Sequence, residues 1–503
     1  MPNTSIYQQI RDSLTDEGRL PPGFSLPDDT PPNQIRFMAG AKDGVFGHHA
    51  GGGNPEKAAK KVLQLLKSHW KTGDAKALEK VAALLQKHGT LSLIDPLLNE
   101  LQSHHDDVEI GSTFSKTAAF MTETADSEMV KLGIAVLGIF DLNKQPDVVD
   151  MILTLGLCEE FTLYAIVAAL RLDNGNDLIF RLAQKVDGWG KIEAVERLKP
   201  ETEEIRDWLL RKGCSNMVMD AYLGLECAEK GNLIGALRKG DMDDELFDGI
   251  CTIIVALLDE GPCEGISAYE HAEEALRLFL QIAAGRTMTL QHLWQLLNVR
   301  DWLEECELPC KDDFLALCDD IVRRDKWPAQ IHDALSGQNE QEFFYASNAA
   351  SRLGIDVSAL LYEAVQRDPV GKNAYLSEIY HNPEYAAQLT ALYERTLPLE
   401  QLAAGMGDDL FADEFSKEHW CLDSVVRELH NYPGMGEALL LAAIRSPVVR
   451  ERNGACKALT AWAEQLGEPV RAFAPELHKA IENVYQAEVN KDTKEQWKEL
   501  LKG

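Results

Sequence analysis

The sequence lacks the long apolar runs and the leader that mark membrane and exported proteins. No apolar stretch of about 18 residues, the length that suggests a membrane-spanning helix, occurs anywhere in the chain. Residues 1–19 are polar and carry both signs of charge, unlike a secretory or transit peptide. We therefore predict a cytoplasmic protein that has no membrane partner.

Motifs that bind cofactors or supply nucleophiles are missing as well. The chain has no Gly-x-Gly-x-x-Gly turn for a dinucleotide, no recognisable haem-ligand cysteine loop and no Gly-x-Ser-x-Gly elbow. None of the ten cysteines forms a Cys-x-x-Cys pair, which argues against a disulfide framework. The tightest group, Cys306, Cys310 and Cys318, admits a metal cluster, but buried thiols explain it more simply. The sequence thus predicts no catalytic residue and no cofactor.

Basic residues are far outnumbered by acidic ones outside the first hundred positions. Of the formal net charge of −31, residues 1–103 contribute +1, because they hold 12 Lys or Arg against 11 Asp or Glu. Residues 104–503 therefore carry −32. A surface this acidic repels phosphate groups, so it predicts a basic protein partner rather than nucleic acid or an anionic membrane. Simple solubility is the alternative explanation of the same charge.

Proline and glycine are concentrated in residues 1–54, where they interrupt any long helix. Within this stretch, residues 34–38 form a short strand-like run, and residues 39–49 suggest an ordered loop or a small hairpin. The glycines of residues 40–53 offer backbone amides to an anion, although no Gly-Lys-Ser/Thr ending follows them. We predict an irregular arm or cap.

Residues 55–125 are predicted to form a basic helical unit. Helices are expected over residues 55–70, 75–88 and 93–103, where leucine and valine recur at helical spacing. The outer face of the first two helices carries eight lysines: Lys57, Lys60, Lys61, Lys67, Lys71, Lys76, Lys80 and Lys87. This face is the basis of a further hypothesis, a helical-repeat protein that binds nucleic acid, and the net charge argues against it.

Helical pairs recur in residues 126–261 at a period typical of repeat proteins. First helices are predicted to begin near Glu128, Glu159, Gly188, Ser215 and Asp244, at intervals of 27 to 31 residues. The helix that follows Glu159 is apolar on nearly all sides, which requires cover from neighbouring repeats. Residues 262–503 are predicted to continue as irregular helical repeats that end in a capping helix. The predicted fold is all-α, an α-solenoid of helical pairs with a Pro/Gly-rich, mostly irregular N-terminal arm.

The helical pairs resemble HEAT-like repeats. This resemblance covers residues 128–260 best and includes Ser446-Pro447-Val448-Val449-Arg450, followed by Ala455, Ala458 and Leu459. It implies an α-solenoid. Residues 186–209 are similar to bacterial proteins labelled limonene hydroxylase. That resemblance implies a monoterpene oxygenase, so an enzyme is the alternative function.

Histidines near the N-terminus form a candidate metal site. Six of the 13 lie between residues 48 and 105, and His48, His49, His104 and His105 form two adjacent pairs. Neutral imidazole and carboxylates such as that of Asp43 are ordinary metal ligands. No His-Glu-x-x-His spacing supports the site, and surface or helix-end histidines are the alternative explanation.

The most regular repeats also supply candidate contacts for a protein partner. Tryptophan dominates the energetics of protein interfaces, and acidic side chains complement a basic partner. The candidates are Trp189, Glu193, Glu196, Asp207 and Trp208. Core packing is the alternative explanation for the two tryptophans. We predict an acidic scaffold that binds and masks a basic protein, as an immunity protein masks its toxin, and the identity of the partner and the oligomeric state stay open.

Overall fold

All regular structure in this protein is helical within the part of the chain that can be described. The computed structural model describes residues 4–27, 37–49, 56–103, 109–261, 263–408 and 416–502. No β-strand occurs in these ranges, so the all-α prediction is confirmed for them. None of the helices in the same ranges is both long and apolar enough to cross a membrane.

The described residues fall into two compact units. The first unit takes the described residues of 4–286 and 298–317, and the second takes those of 287–297 and 318–502. The boundaries predicted after residues 54, 125 and 261 rest on composition rather than on contacts, and they stay predictions.

The helices of the first unit are short, and most are joined by a few residues. A π-helical turn, Leu209–Gly213, and a 3₁₀ turn, Leu142–Lys144, interrupt the series. The α-helices are Ile6–Ser13, Ala41–His49, Glu56–Thr72, Ala75–His88, Thr90–Ser103, Ile110–Glu123, Ser127–Leu137, Pro146–Gly156, Glu159–Ala169, Gly175–Ala183, Gly188–Arg197, Glu203–Trp208, Ala221–Lys230, Leu233–Lys239, Asp244–Leu258 and Ala272–Gly285.

The second unit has the same all-helical character with less regular lengths. Helices Leu290–Glu305 and Lys311–Val322 carry residues of both units. The remaining α-helices are Trp327–Ser336, Glu340–Leu353, Ser358–Arg367, Leu376–Tyr380, Pro383–Thr396, Leu399–Leu402, Ser416–Glu428, Glu437–Ile444, Val449–Leu466, Val470–Phe473, Pro475–Tyr485 and Lys491–Lys502. The 3₁₀ turns are Asn373–Tyr375 and Leu429–Asn431.

Most of the predicted first-helix starts are correct, and aspartate side chains cap three of the four helices concerned. Asp126 accepts a hydrogen bond from the amide of Met129, and Asp243 accepts one from the amide of Leu246. Such caps satisfy amides that have no partner inside the helix. Four first helices accordingly begin within one residue of the predicted positions, at Ser127, Glu159, Gly188 and Asp244.

The predicted start near Ser215 is wrong. The helix begins at Ala221, because the side chain of Asn216 accepts hydrogen bonds from the amides of Val218 and Met219 and holds a turn. Asparagine that bonds to nearby backbone amides in this way competes with helix formation.

The ordered loop or small hairpin predicted over residues 39–49 is also wrong. Residues Ala41–His49 form an α-helix with Asp43 in its first turn, where a negative charge interacts favourably with the helix dipole. Of the predicted strand-like run, residues 34–36 lie outside the described ranges, and Phe37 and Met38 are not in a strand.

Helix Glu159–Ala169 is buried on nearly all sides, as its composition predicts. Phe161, Ala165 and Ile166 are fully buried. Their cover comes from three neighbouring helices, Ser127–Leu137, Pro146–Gly156 and Gly188–Arg197. This helix therefore lies in the core of the first unit, and the candidate site is built around it.

Candidate functional site

A buried lysine joins three carboxylates beside this central helix. Lys131 has no exposed side-chain surface, and its Nζ lies 2.8 Å from Asp43, 3.2 Å from Glu128 and 2.5 Å from Glu160. The hydroxyl of Tyr164 donates to Oδ2 of Asp43 over 3.0 Å. Asp43 belongs to the N-terminal helix Ala41–His49, so the cluster connects this helix to the helices Ser127–Leu137 and Glu159–Ala169.

The electrostatics of the cluster fix its protonation. Burial opposes the charge of Lys131, but the three carboxylates outweigh burial and raise the pKa of its ammonium group well above the usual range. Burial likewise opposes ionisation of Glu128, yet Lys131 and hydrogen bonds from Thr90 hold its pKa below the ordinary value. Burial and the neighbouring Asp43 raise the pKa of Tyr164. At neutral pH the cluster therefore holds an ammonium ion and a neutral phenol, which makes it an anchor rather than a source of a nucleophile.

Backbone contacts extend this anchor along the N-terminal segment. The amide of Gly40 donates to Glu160 over 2.8 Å, and its φ of +72° suits glycine. A methyl group at Gly40 would lie 2.6 Å from the carbonyl oxygen of Glu159. A methyl group at Gly44 would overlap the ring of Trp189. The N-terminal residues around Gly40 and Gly44 thus approach Glu159 and Trp189 so closely that only glycine fits at these two positions.

Glu159 is a second acidic group at this contact, and it titrates near neutral pH. Burial raises the pKa of Glu159 to about 7, and the negative charge of Asp187 adds to the shift. Its carboxylate packs against Gly188, which has a φ of +51°. Glu159 therefore changes its charge at a pH at which Lys131 keeps its positive charge.

Two of the three predicted partner contacts on helix Gly188–Arg197 are buried within the protein, and the third, Glu196, is partly exposed. Trp189 is only 4% exposed, lies under the Gly44 segment and contacts the ring of Tyr222 at a centroid distance of 5.2 Å. Glu193 is buried and pairs with Arg197, which also contacts Glu196 at 3.3 Å. A partner would have to displace other residues of the chain to reach Trp189 or Glu193.

The other two predicted contacts, on helix Glu203–Trp208, are more accessible. Asp207 is exposed and forms an ion pair of 2.7 Å with Arg211. Trp208 is half-buried, with its ring edge-on to Phe180 at 5.5 Å and Lys191 5.8 Å from the ring centroid. Of the five predicted residues, Asp207 and parts of Glu196 and Trp208 are thus open to a partner without rearrangement.

The predicted histidine metal site is not tested. His48 and His49 end the helix Ala41–His49, but their side chains fall outside what the structure describes, and so do His104 and His105 entirely. Among the residues whose side chains are described, no group of three His, Cys, Asp or Glu side chains is placed to hold a metal ion.

An exposed acidic stretch includes the helix Asp244–Leu258 and the residues on either side of it. Residues 240–276, here called the acidic segment, contain no Lys or Arg. Their eleven acidic side chains are all exposed: Asp241, Asp243, Asp244, Glu245, Asp248, Asp259, Glu260, Glu264, Glu270, Glu273 and Glu274. The sequence signal was the absence of basic residues over this stretch, which a charge summed over residues 104–503 conceals.

Arginines from adjacent helices contact part of this surface. Arg211 pairs with Asp243 at 2.5 Å, Arg238 pairs with Glu274 at 2.7 Å, and Arg286 pairs with Asp244. Exposed pairs of this kind add little stability. Lys212 and Arg277 pair with two more acidic groups, Glu245 and Glu273, and the acidic groups of the segment still outnumber these cations.

No family model matches the chain, and neither a curated protein nor a solved structure matches it.

Proposed function

We propose that this protein is an acidic scaffold of HEAT-like helical pairs that binds and masks a basic protein, with the acidic segment as its main contact surface. The observation that carries the proposal is the exposure of all eleven acidic side chains between residues 240 and 276, a stretch without Lys or Arg. Potentials from such a surface attract basic partners over several ångströms and speed their association.

Four acidic side chains of this segment are available for a partner's cations. Asp241, Asp259, Glu264 and Glu270 form no ion pair within the described part of the chain. A partner that pairs with them does not first have to break a contact of the free protein. The helix Asp244–Leu258 between them presents a buried apolar face to its own unit, so the segment is held on a rigid support.

A matched pair of charge variants tests this function. The test variant combines Asp241→Asn, Asp259→Asn, Glu264→Gln and Glu270→Gln. The control variant removes four exposed acidic groups of the second unit through Glu384→Gln, Glu464→Gln, Glu468→Gln and Glu476→Gln. Both variants change the net charge equally, so a general charge effect would alter them alike.

The measurement is affinity capture from the native host with mass spectrometry of the retained proteins. We expect the wild type and the control to retain a basic protein at physiological salt, where screening extends about 8 Å. We expect the test variant to lose it. Equal retention by all three proteins would contradict a role for the acidic segment, and retention of no basic protein by the wild type would contradict the function.

The enzyme hypothesis stays a prediction of the resemblance of residues 186–209. These residues form helices Gly188–Arg197 and Glu203–Trp208 and the links around them. The limonene hydroxylase label implies oxygenase chemistry, and absorbance spectra of the purified protein would test for a flavin or haem.

A further inference from the structure

An apolar cleft opens beside the buried lysine cluster in the first unit. Its volume is about 170 Å³, and it lies between helices Thr90–Ser103, Ser127–Leu137 and Glu159–Ala169. Its walls are mainly apolar side chains that are only partly buried, among them Leu91, Ile94, Leu98, Ile139, Leu163 and Val167. Val167 is 49% exposed, so the cleft is open to solvent on one side.

Small residues create this space. Ala135, Gly138 and Ala168 line the cleft where larger side chains would fill it. A methyl group at Gly138 would lie 3.1 Å from the Cβ of Ala168. The end of helix Ser127–Leu137 therefore approaches helix Glu159–Ala169 closely at this wall of the cleft. An engineered apolar cavity of about 150 Å³ binds benzene, so the volume here suits one compact apolar group.

One wall of the cleft is fixed from behind by the lysine cluster. The ring of Tyr164 lines the cleft, while its hydroxyl is held by Asp43, which itself pairs with Lys131. The cleft is thus supported by buried contacts, as a binding site for a small molecule requires.

Two opposite charges line the same cleft. They are Asp95 and Arg171, which are both exposed. They form no ion pair with each other, so no nitrogen of Arg171 lies within 4.0 Å of the carboxylate of Asp95. Neither side chain has an ion-pair partner elsewhere in the described part of the chain. An unpaired cation and an unpaired anion beside one apolar space are complementary to a small zwitterion with an apolar tail.

We infer that the cleft binds a free α-amino acid with an apolar side chain of the size of leucine or phenylalanine. Arg171 binds the α-carboxylate, because its guanidinium group forms charge-assisted hydrogen bonds with carboxylates. Asp95 binds the α-ammonium group, and the apolar side chain enters the space above Ala135 and Ala168. This site is separate from the acidic segment, so it does not depend on the proposed protein-binding function.

Three ligands with one apolar group and different charges test the assignment by isothermal titration calorimetry at pH 7. Phenylalanine carries both charges, 3-phenylpropionate carries only the carboxylate, and phenethylamine carries only the ammonium group. We expect phenylalanine to bind about tenfold more tightly than either of the others, which corresponds to one charge-assisted contact.

Two charge variants then separate the contacts. Arg171→Gln should weaken the binding of phenylalanine and 3-phenylpropionate about tenfold and leave the affinity for phenethylamine unchanged. Asp95→Asn should weaken phenylalanine and phenethylamine and leave 3-phenylpropionate unchanged or tighter. The matched control is Arg181→Gln, which removes an exposed arginine outside the cleft and should change none of the three affinities.

A third variant tests the location. Ala135→Leu should abolish binding of all three ligands, because the larger side chain fills the cleft. The protein should stay folded, because leucine suits a helix almost as well as alanine does. Thermal melting checks that the variant is folded. The inference is overturned if phenylalanine binds no more tightly than the two singly charged ligands, or if Ala135→Leu leaves its binding intact. It is equally overturned if none of the three binds at concentrations up to about 10 mM.

Discussion

Replacing Lys131 with methionine tests whether the buried cluster holds the N-terminal segment to the repeats. The substitution keeps an unbranched side chain as far as Cε and removes the ammonium group whose positive charge Asp43, Glu128 and Glu160 share. Three carboxylates would then face one another with no cation between them. Removing one partner of a buried ion pair costs about 3 to 5 kcal/mol, so we expect a loss of that size in the free energy of unfolding of the first unit.

The loss should depend on pH in a defined direction. In the wild type the pKa of Glu128 is lowered, so its stabilising contribution is present above the ordinary carboxyl pKa and is lost as the pH falls through the lowered value. In Lys131→Met the carboxylates repel one another until they take up protons. The difference between variant and wild type should therefore shrink as the pH falls from 7 toward about 4.

The measurement is urea unfolding combined with hydrogen exchange of the helices Ala41–His49 and Ser127–Leu137. The control is Lys80→Met, which removes an exposed helical lysine and should change stability by no more than about 0.5 kcal/mol. If Lys131→Met behaved like the control and residues 41–45 kept their protection, the cluster would not be the anchor described here.

Three further predictions concern single contacts. Gly44→Ala should destabilise the packing of helix Ala41–His49 by about 1 to 3 kcal/mol, because the added methyl group overlaps Trp189. In a double-mutant cycle, Gly44→Ala should cost much less when Trp189→Ala is already present. Additive effects of the two substitutions would refute the contact. Glu159→Gln should raise the free energy of unfolding by about 1 kcal/mol at pH 8 but little at pH 5. Burial raises the pKa of this carboxyl to about 7, so its ionisation opposes folding as the pH rises. Urea unfolding at both pH values checks the sign. In the second unit, Arg452 lies 2.8 Å from Glu488 with both side chains fully buried, so Arg452→Met should cost about 3 to 5 kcal/mol in urea unfolding, and an unchanged midpoint would refute it.

The positions of the repeat helices could be predicted because their causes are local. Asp126 and Asp243 cap helices that then show apolar residues at helical spacing, and both signals are present within a few positions. The start near Ser215 failed where a side chain, Asn216, bonded to the backbone and delayed the helix to Ala221.

The candidate sites were less accessible to the sequence because they join distant residues. The helix Ala41–His49 forms in a glycine-rich stretch, and its anchor Asp43 meets Lys131 only in the folded chain. The same docking buries Trp189, which a helical pattern alone presents as a candidate contact. The cleft between Asp95 and Arg171 likewise depends on how three helices pack, and no motif marks it.

The acidic segment can be found in the sequence as a stretch without Lys or Arg, but a prediction from summed charge does not single it out. Net charge predicted a basic partner for the whole of residues 104–503. Every acidic side chain from Asp241 to Glu274 is exposed, and on this observation we propose the segment as the contact surface.

Carbodiimide coupling of the captured complex tests the proposed scaffold most directly, because it joins carboxylates to lysines that already touch. The protein would be purified with its retained partner, coupled without a spacer and analysed by mass spectrometry. We predict that most links to lysines of the partner come from the acidic segment, with Asp241, Asp259, Glu264 and Glu270 among them. Links spread evenly over the acidic side chains of both units, or a partner with no lysine linked to the segment, would contradict the proposed contact surface.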